Sequence, residues 1–394
     1  MTEIDVIELE NQIHANVYHR YPVTINKGKD NVLWDNKGKE YIDCMGGYGV
    51  AVIGHCNQFV VDSIKKQADE LITCHNSLYN QTRAKFISRL ISITPMELNK
   101  VVLCNTGAET IECAIKIARK FTQKPEIISM IGSYHGKTMG ALSATWNKKY
   151  RQAFAPLLPD IKFSPFGKED RLEELITERT AAILLEPIQG ESGIHVAPKE
   201  FLNKIRQICN KKNILMICDE IQSGFGRTGK MWAFQHWNII PDIICTAKGL
   251  GGGLPISATI GKEEIMNCLG IGDHSSTFSG NPLSCAAGNA TIEYMTKNNL
   301  IENAKKKGEL FKTELDKLKN NHKSIREIRG MGLMLAIEMK FDIREILLQA
   351  LENGVILLYS GRNNIRLLPP LTITNEQIIK VCKIIDKILT DLEE

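Results

Sequence analysis

The chain is 394 residues long, with 43% hydrophobic and 24% charged residues, enough apolar material to bury a large core divided over two or three domains. Its 49 Lys and Arg against 45 Asp and Glu leave a net charge of +4, too small an excess for a nonspecific nucleic-acid binder, and the composition excludes global disorder and collagen-like repetition. The 11 cysteines follow no regular spacing and form no Cys-x-x-Cys pair, so neither a disulfide framework nor a metal site is expected.

In chain order, the opening segment MTEIDVIELENQIHANVYHR is acidic and amphipathic where a signal peptide would be basic and then apolar. No apolar run approaches the roughly 18 residues of a membrane span, and a cytoplasmic protein without a membrane span is expected. Short apolar runs then recur at Val101–Leu103, Ile127–Met130, Ala181–Leu185, Ile214–Cys218 and Ile243–Cys245, with helix-length amphipathic segments between them. That alternation predicts an α/β fold with a buried, mostly parallel sheet sandwiched by helices. After about residue 285 the pattern changes. A Lys-rich helical stretch from Asn303 to Lys323 leads into shorter strand-like runs, Leu333–Met339 and Val355–Tyr359, which predicts a smaller C-terminal α+β domain. Glu309, Glu314 and Asp316 interrupt the lysines at helical spacing, so this stretch reads as a solvated helix face.

Four segments place polar or glycine-rich tips after buried strands, and open α/β sheets bind ligands at the carboxyl ends of their strands. In VVLCNTGAETIECAIKIARK, small residues at Thr106, Gly107 and Ala108 leave backbone N–H groups free for an anion at a positive helix end. A plain turn capped by Thr106 and Glu109 is the alternative. In ILMICDEIQSGFGRTG a strand delivers Asp219 and Glu220, acids that are costly to bury without a cationic partner. In PDIICTAKGLGGGLPISA, Lys248 follows a strand and precedes Gly249 and Gly251–Gly253; partial desolvation there would lower its pKa and make the amine nucleophilic. In AAILLEPIQGESGI a strand ends at Glu186-Pro187 and continues to Gln189-Gly190-Glu191, a segment that alone would read as an acidic exposed turn. Together they describe a phosphate cradle, a carboxylate for a cationic ring nitrogen and an imine-forming lysine, the three demands of pyridoxal phosphate.

These segments resemble the class III aminotransferases among the fold type I pyridoxal-phosphate enzymes. The motifs CNTGAETIE, SYHGKTMGAL, LLEPIQGE, DEIQSGFGRTG, TAKGLGGGLP, HSSTFSGNP and IRLLPPL follow the family's order from about Gly28 to Pro370. The resemblance implies an N-terminal segment, 1–45, packing with the small domain, a large pyridoxal-phosphate-binding domain, 46–284, and a small domain, 285–394. It further implies that Lys248 holds the cofactor as an imine and shuttles the proton, and that Asp219 keeps the pyridine nitrogen protonated. By the same resemblance Thr106, Gly107 and Ala108 cradle the phosphate, Tyr134 stacks on the ring where the family often has Phe, and Gln222 bonds the ring hydroxyl. Thr277 would reach the phosphate of the neighbouring subunit, which makes a homodimer with shared active sites. His135 and His55 are left as structural histidines.

For the substrate, the resemblance assigns Arg366 to the α-carboxylate of glutamate or 2-oxoglutarate, with Glu191 pairing that arginine while an ω-amine reacts. Tyr48 and Lys137 complete the implied substrate residues, although Lys137 stands where most relatives have Arg and offers a point charge instead of a fork. Thr106 and Ser257 stand where Ser and Gly are usual. The implied reaction moves the terminal amino group of an acetylornithine-, ornithine- or lysine-like donor to 2-oxoglutarate, giving a semialdehyde and glutamate, in lysine or arginine biosynthesis. A donor linked to a small acidic amino-group carrier protein is a further candidate, suggested by Gly46–Val50 and ALSATWNKKYR. The alternatives are a 4-aminobutyrate or ornithine aminotransferase and, in another class, a decarboxylase or aminomutase.

Overall fold

The computed structural model describes residues 5–394. Its strands, in chain order, are β1 (Ile25–Lys29), β2 (Val32–Asp35), β3 (Glu40–Asp43), β4 (Lys100–Cys104), β5 (Glu126–Met130), β6 (Ile161–Ser164), β7 (Thr180–Leu185), β8 (Ile188–Gln189), β9 (His195–Val196), β10 (Leu215–Asp219), β11 (Ile243–Thr246), β12 (Ser257–Gly261), β13 (Ile325–Met331), β14 (Met334–Met339), β15 (Val355–Ile356), β16 (Leu358–Ser360) and β17 (Asn364–Leu367).

Seven of them form the central sheet, in the order β4-β12-β11-β10-β7-β5-β6. Strands β5, β7, β10 and β11 are buried along their whole length, which is why they read as continuous apolar runs and not as alternation. Each of the five runs expected from the sequence is a strand of this sheet. The expectation of a mostly parallel sheet holds, with β12 the one antiparallel member, bonded to β11 on one side and β4 on the other. Because β4, β7, β10 and β11 run the same way, their carboxyl ends share one edge. Cys218 lies beside Leu185 and Asp219 beside Cys245, so the residues just past these strands are forced into proximity.

Two further sheets lie outside this core. β1, β2 and β3 form a sheet whose fourth strand is β15, so the N-terminal segment is hydrogen-bonded to the C-terminal part of the chain. The other, ordered β13-β14-β17-β16, holds Arg366 in β17 opposite Ala336 and Leu358. The Lys-rich stretch is the helix Leu300–Asn321, which buries Ala304, Phe311, Leu315 and Leu318 and pairs Lys317 with Glu314 on its outer face. Eight of the 11 cysteines are buried, and all are free. No helix among the described residues is long and apolar enough to cross a membrane.

Candidate active site

The shared edge of the central sheet opens into a cavity of about 550 Å³, within the range of small-molecule sites. All four segments singled out in the sequence contribute to it: Thr106, Gly107 and Ala108 after β4, Glu186 and Glu191 after β7, Asp219 and Gln222 at the end of β10, and Lys248 after β11.

At the first of these, Thr106 caps the helix Gly107–Thr122. Its hydroxyl accepts from Glu109 N–H at 3.3 Å, while Glu109 Oε2 accepts from Thr106 N–H at 3.2 Å and Asn105 N–H at 2.6 Å. The capped turn and the anion cradle are therefore the same structure, since the box leaves the N–H groups of Gly107 and Ala108 without a partner among the described residues. A Cβ at Gly107 would lie 2.9 Å from Ile221, so only glycine lets the turn pass this close to the segment after β10. Helix-end charge and free donors together suit a phosphate.

Asp219 is 4% exposed and accepts at Oδ1 from Ile221 N–H at 3.0 Å. Its Oδ2 lies 2.7 Å from Nδ1 of His135, whose side chain is fully buried and whose Nε2 has no partner among the described residues. His135, left as structural on sequence grounds, is thus a cavity-lining residue that orients Asp219. The neighbouring acid behaves differently. Glu220 turns away, accepting from Ser223 Oγ at 2.7 Å and Phe234 N–H at 2.8 Å, and burial pushes its carboxyl up to about 7. No cluster of three or more potential metal-ligating His, Cys, Asp or Glu side chains occurs among the described residues.

Lys248 opens a short helical turn with φ of +43°, a left-handed conformation unusual for a residue with a side chain and typical of strain held at functional sites. Its amine makes no hydrogen bond among the described residues. Burial draws its pKa below the ordinary lysine value, against the opposing field of Glu191, so the neutral nucleophilic form is made more accessible. Glu186, the acid that alone would have read as an exposed turn, is buried and accepts from Tyr134 N–H at 3.0 Å and Gly190 N–H at 3.1 Å. Burial raises its carboxyl's pKa. It fastens the loop carrying Tyr134 to the end of β7.

Arg366 is fully buried, and its Nη1 meets Glu191 Oε1 at 2.6 Å. Burial alone would raise the Glu191 carboxyl, but the guanidinium outweighs it and the net shift is downward. Glu191 remains 25% exposed, so it is the partner with room to move. Gln222 Oε1 accepts weakly from Arg366 at 3.3 Å, and the Tyr48 ring lies 5.6 Å from the guanidinium carbon. Lys137 is an exposed residue of the cavity mouth, its Nζ 5.1 Å from the Tyr150 ring. Tyr134 lines the wall and packs edge-on against Tyr150 at 6.0 Å. Three residues assigned from the sequence do not line their own chain's cavity: Arg366 is joined to it through Glu191 and Gln222, Tyr48 lies against Arg366, and Thr277 is exposed and has no place near it.

The donor set fits pyridoxal 5′-phosphate: unpartnered N–H groups for a phosphate, a buried carboxylate for a ring nitrogen, and a desolvated, unbonded amine for an aldehyde. The family model "Aminotransferase class-III" matches residues 13–389. An acetylornithine aminotransferase of Methanopyrus kandleri is 43% identical over 379 residues, covering 96% of this chain and 97% of the relative. A LysW-aminoadipate semialdehyde/glutamate semialdehyde transaminase of Sulfurisphaera tokodaii is 40% identical over 356 residues, covering 90% and 92%. Among solved structures, the ornithine aminotransferase of Toxoplasma gondii superposes with a TM-score of 0.94 at 32% identity, covering 98% of this chain and 94% of that one.

Proposed function

The chain belongs to the class III aminotransferases, which depend on pyridoxal phosphate, and from that premise we propose that it moves the terminal amino group of an acetylornithine-, ornithine- or lysine-like donor to 2-oxoglutarate. Bound pyridoxal phosphate supplies an aldehyde for the amino group and a ring that accepts electrons from the substrate carbon. The chain's residues do the rest. Lys248 Nζ anchors the cofactor and then carries the proton from the donor carbon. Asp219, held by His135, keeps the proton on the pyridine nitrogen. The N–H groups of Gly107 and Ala108, with Thr106, bind the phosphate, Tyr134 covers the ring, and Gln222 meets the ring hydroxyl.

The observation that carries the substrate reading is the Glu191–Arg366 pair at 2.6 Å. A buried guanidinium left unpaired costs about 3–5 kcal/mol, so Arg366 needs one carboxylate at every stage. Glu191 supplies it while a terminal amine occupies the cavity, and the carboxylate of glutamate or 2-oxoglutarate replaces it in the other half of the cycle. Glu191→Ala should therefore slow the reaction with the terminal amine at least about tenfold more than the reaction with glutamate, measured as separate half-reactions. Equal slowing of both would refute this exchange.

A donor linked to an acidic carrier protein is the second reading, favoured by the Sulfurisphaera tokodaii relative and by Lys137 at the mouth, with Lys148 and Lys149 exposed a few residues on. We further infer a cytoplasmic homodimer in which Thr277, exposed on its own chain, reaches the phosphate bound by the neighbouring subunit.

A further inference from the structure

The loop after β5, residues 131–138, carries Tyr134, His135 and Lys137 to one wall of the cavity, while the helix Gly107–Thr122 presents the phosphate cradle on another. Two segments that meet the same cofactor need a fixed separation. At their nearest approach a Cβ on Gly136, whose φ is +138°, would lie 2.7 Å from the Ala108 Cβ, so the segments touch and only glycine allows it. Contact alone leaves them free to slide.

The polar tie between them is Glu112, which stands on the cradle helix but does not line the cavity. Its Oε1 accepts from Thr138 Oγ1 at 2.6 Å, Gly140 N–H at 2.8 Å and Ala141 N–H at 3.2 Å. Those donors open the short helix Met139–Ala144, whose own N-cap residue, Thr138, makes no side-chain cap bond, so a carboxylate from a neighbouring helix does the capping. The short helix in turn holds the loop: Thr145 Oγ1 accepts from His135 N–H at 2.9 Å, and Ser133 Oγ donates to the Ala144 carbonyl at 2.9 Å. Among the described residues no other side chain of the helix Gly107–Thr122 bonds to residues 131–146. Gly140 is fitted to the same contact, since a Cβ there would overlap Glu112 Oε2.

We propose that Glu112 is a positioning residue for the cofactor: through Thr138, Gly140 and Ala141 it fixes the loop that covers the ring against the helix that binds the phosphate. Tyr134 is thereby set at one distance from the N–H groups of Gly107 and Ala108. The inference rests on the reading that Tyr134 covers the pyridine ring.

The test uses the full-length enzyme with Glu112→Ala, Glu112→Gln, Gly140→Ala and the double variant Glu112→Ala/Gly140→Ala. Each is measured for pyridoxal-phosphate affinity in reconstitution titrations, for the induced circular dichroism of the cofactor at saturation, and for melting of the cofactor-free protein. Glu112→Ala should weaken cofactor binding about tenfold and reduce the induced band, as loss of charge-assisted bonds predicts. Glu112→Gln, which keeps an accepting oxygen, should stay within about threefold of wild type. Gly140→Ala should reproduce the Glu112→Ala losses by displacing the carboxylate, and the double variant should lose no more than Glu112→Ala alone. Wild-type affinity with an unchanged induced band in Glu112→Ala would overturn the proposal, as would losses confined to the melting of the cofactor-free protein. If Glu112→Ala does not fold, Gly140→Ala decides by the same two readings. If Tyr134→Ala leaves both readings at wild-type values, the placement of Tyr134 over the ring fails instead, whatever the Glu112 variants do.

Discussion

Lys248→Ala is expected to lower turnover by at least about 10⁴-fold and to remove the visible absorption of the lysine-linked cofactor. The magnitude follows from loss of two roles at once, covalent anchoring and proton transfer, the second alone being worth about 10²–10⁴-fold. The structure makes this lysine hard to replace. It stands alone at the end of β11 in a left-handed backbone conformation, its amine unbonded and drawn below its ordinary pKa by burial. Lys137, the other lysine lining the cavity, lies exposed at the mouth. Stopped-flow absorbance and a steady-state glutamate assay check the two effects separately. Retention of the visible band in the variant would show that another amine holds the cofactor.

Asp219→Ala should cost about 10²–10³-fold in turnover and weaken cofactor retention. Removing the carboxylate leaves two buried groups unanswered, the pyridine nitrogen of the proposed cofactor and the His135 imidazole 2.7 Å away. Breaking a buried charged pair by deleting one partner costs about 3–5 kcal/mol, equivalent at face value to roughly 10²–10³-fold, since each tenfold corresponds to about 1.4 kcal/mol. Dialysis against buffer without cofactor, followed by assay with and without added pyridoxal phosphate, separates lost affinity from lost turnover. Turnover near wild type after saturation would exclude Asp219 from the chemistry and leave it a binding residue only.

Much of this site is legible in the sequence, for a physical reason. The strands that build it are fully buried, so each appears as an unbroken apolar run, and a residue at or within two positions of its carboxyl end stands out by chemistry: Glu186, Asp219 and Lys248. β12 was not visible because Ser-Ala-Thr-Ile-Gly is fully buried with too little apolar contrast. Nor could the run Val355–Tyr359 reveal that the chain leaves one sheet after Ile356 and enters another at Leu358. His135 was undervalued because its meaning lies in Asp219, 84 positions away, and a histidine beside a glycine carries no local signal. The Glu186 carboxylate looked like an exposed turn since its ligands are backbone N–H groups, which any sequence supplies.

The central claim, that this cavity exchanges an amino group between a terminal amine and 2-oxoglutarate, is tested most directly by product stoichiometry. The purified enzyme, saturated with pyridoxal phosphate, is mixed with N-acetylornithine and 2-oxoglutarate, and glutamate, residual amine and carbon dioxide are measured together. One glutamate per amine consumed, with no carbon dioxide, is the predicted result; amine consumption with carbon dioxide release and no glutamate would contradict it.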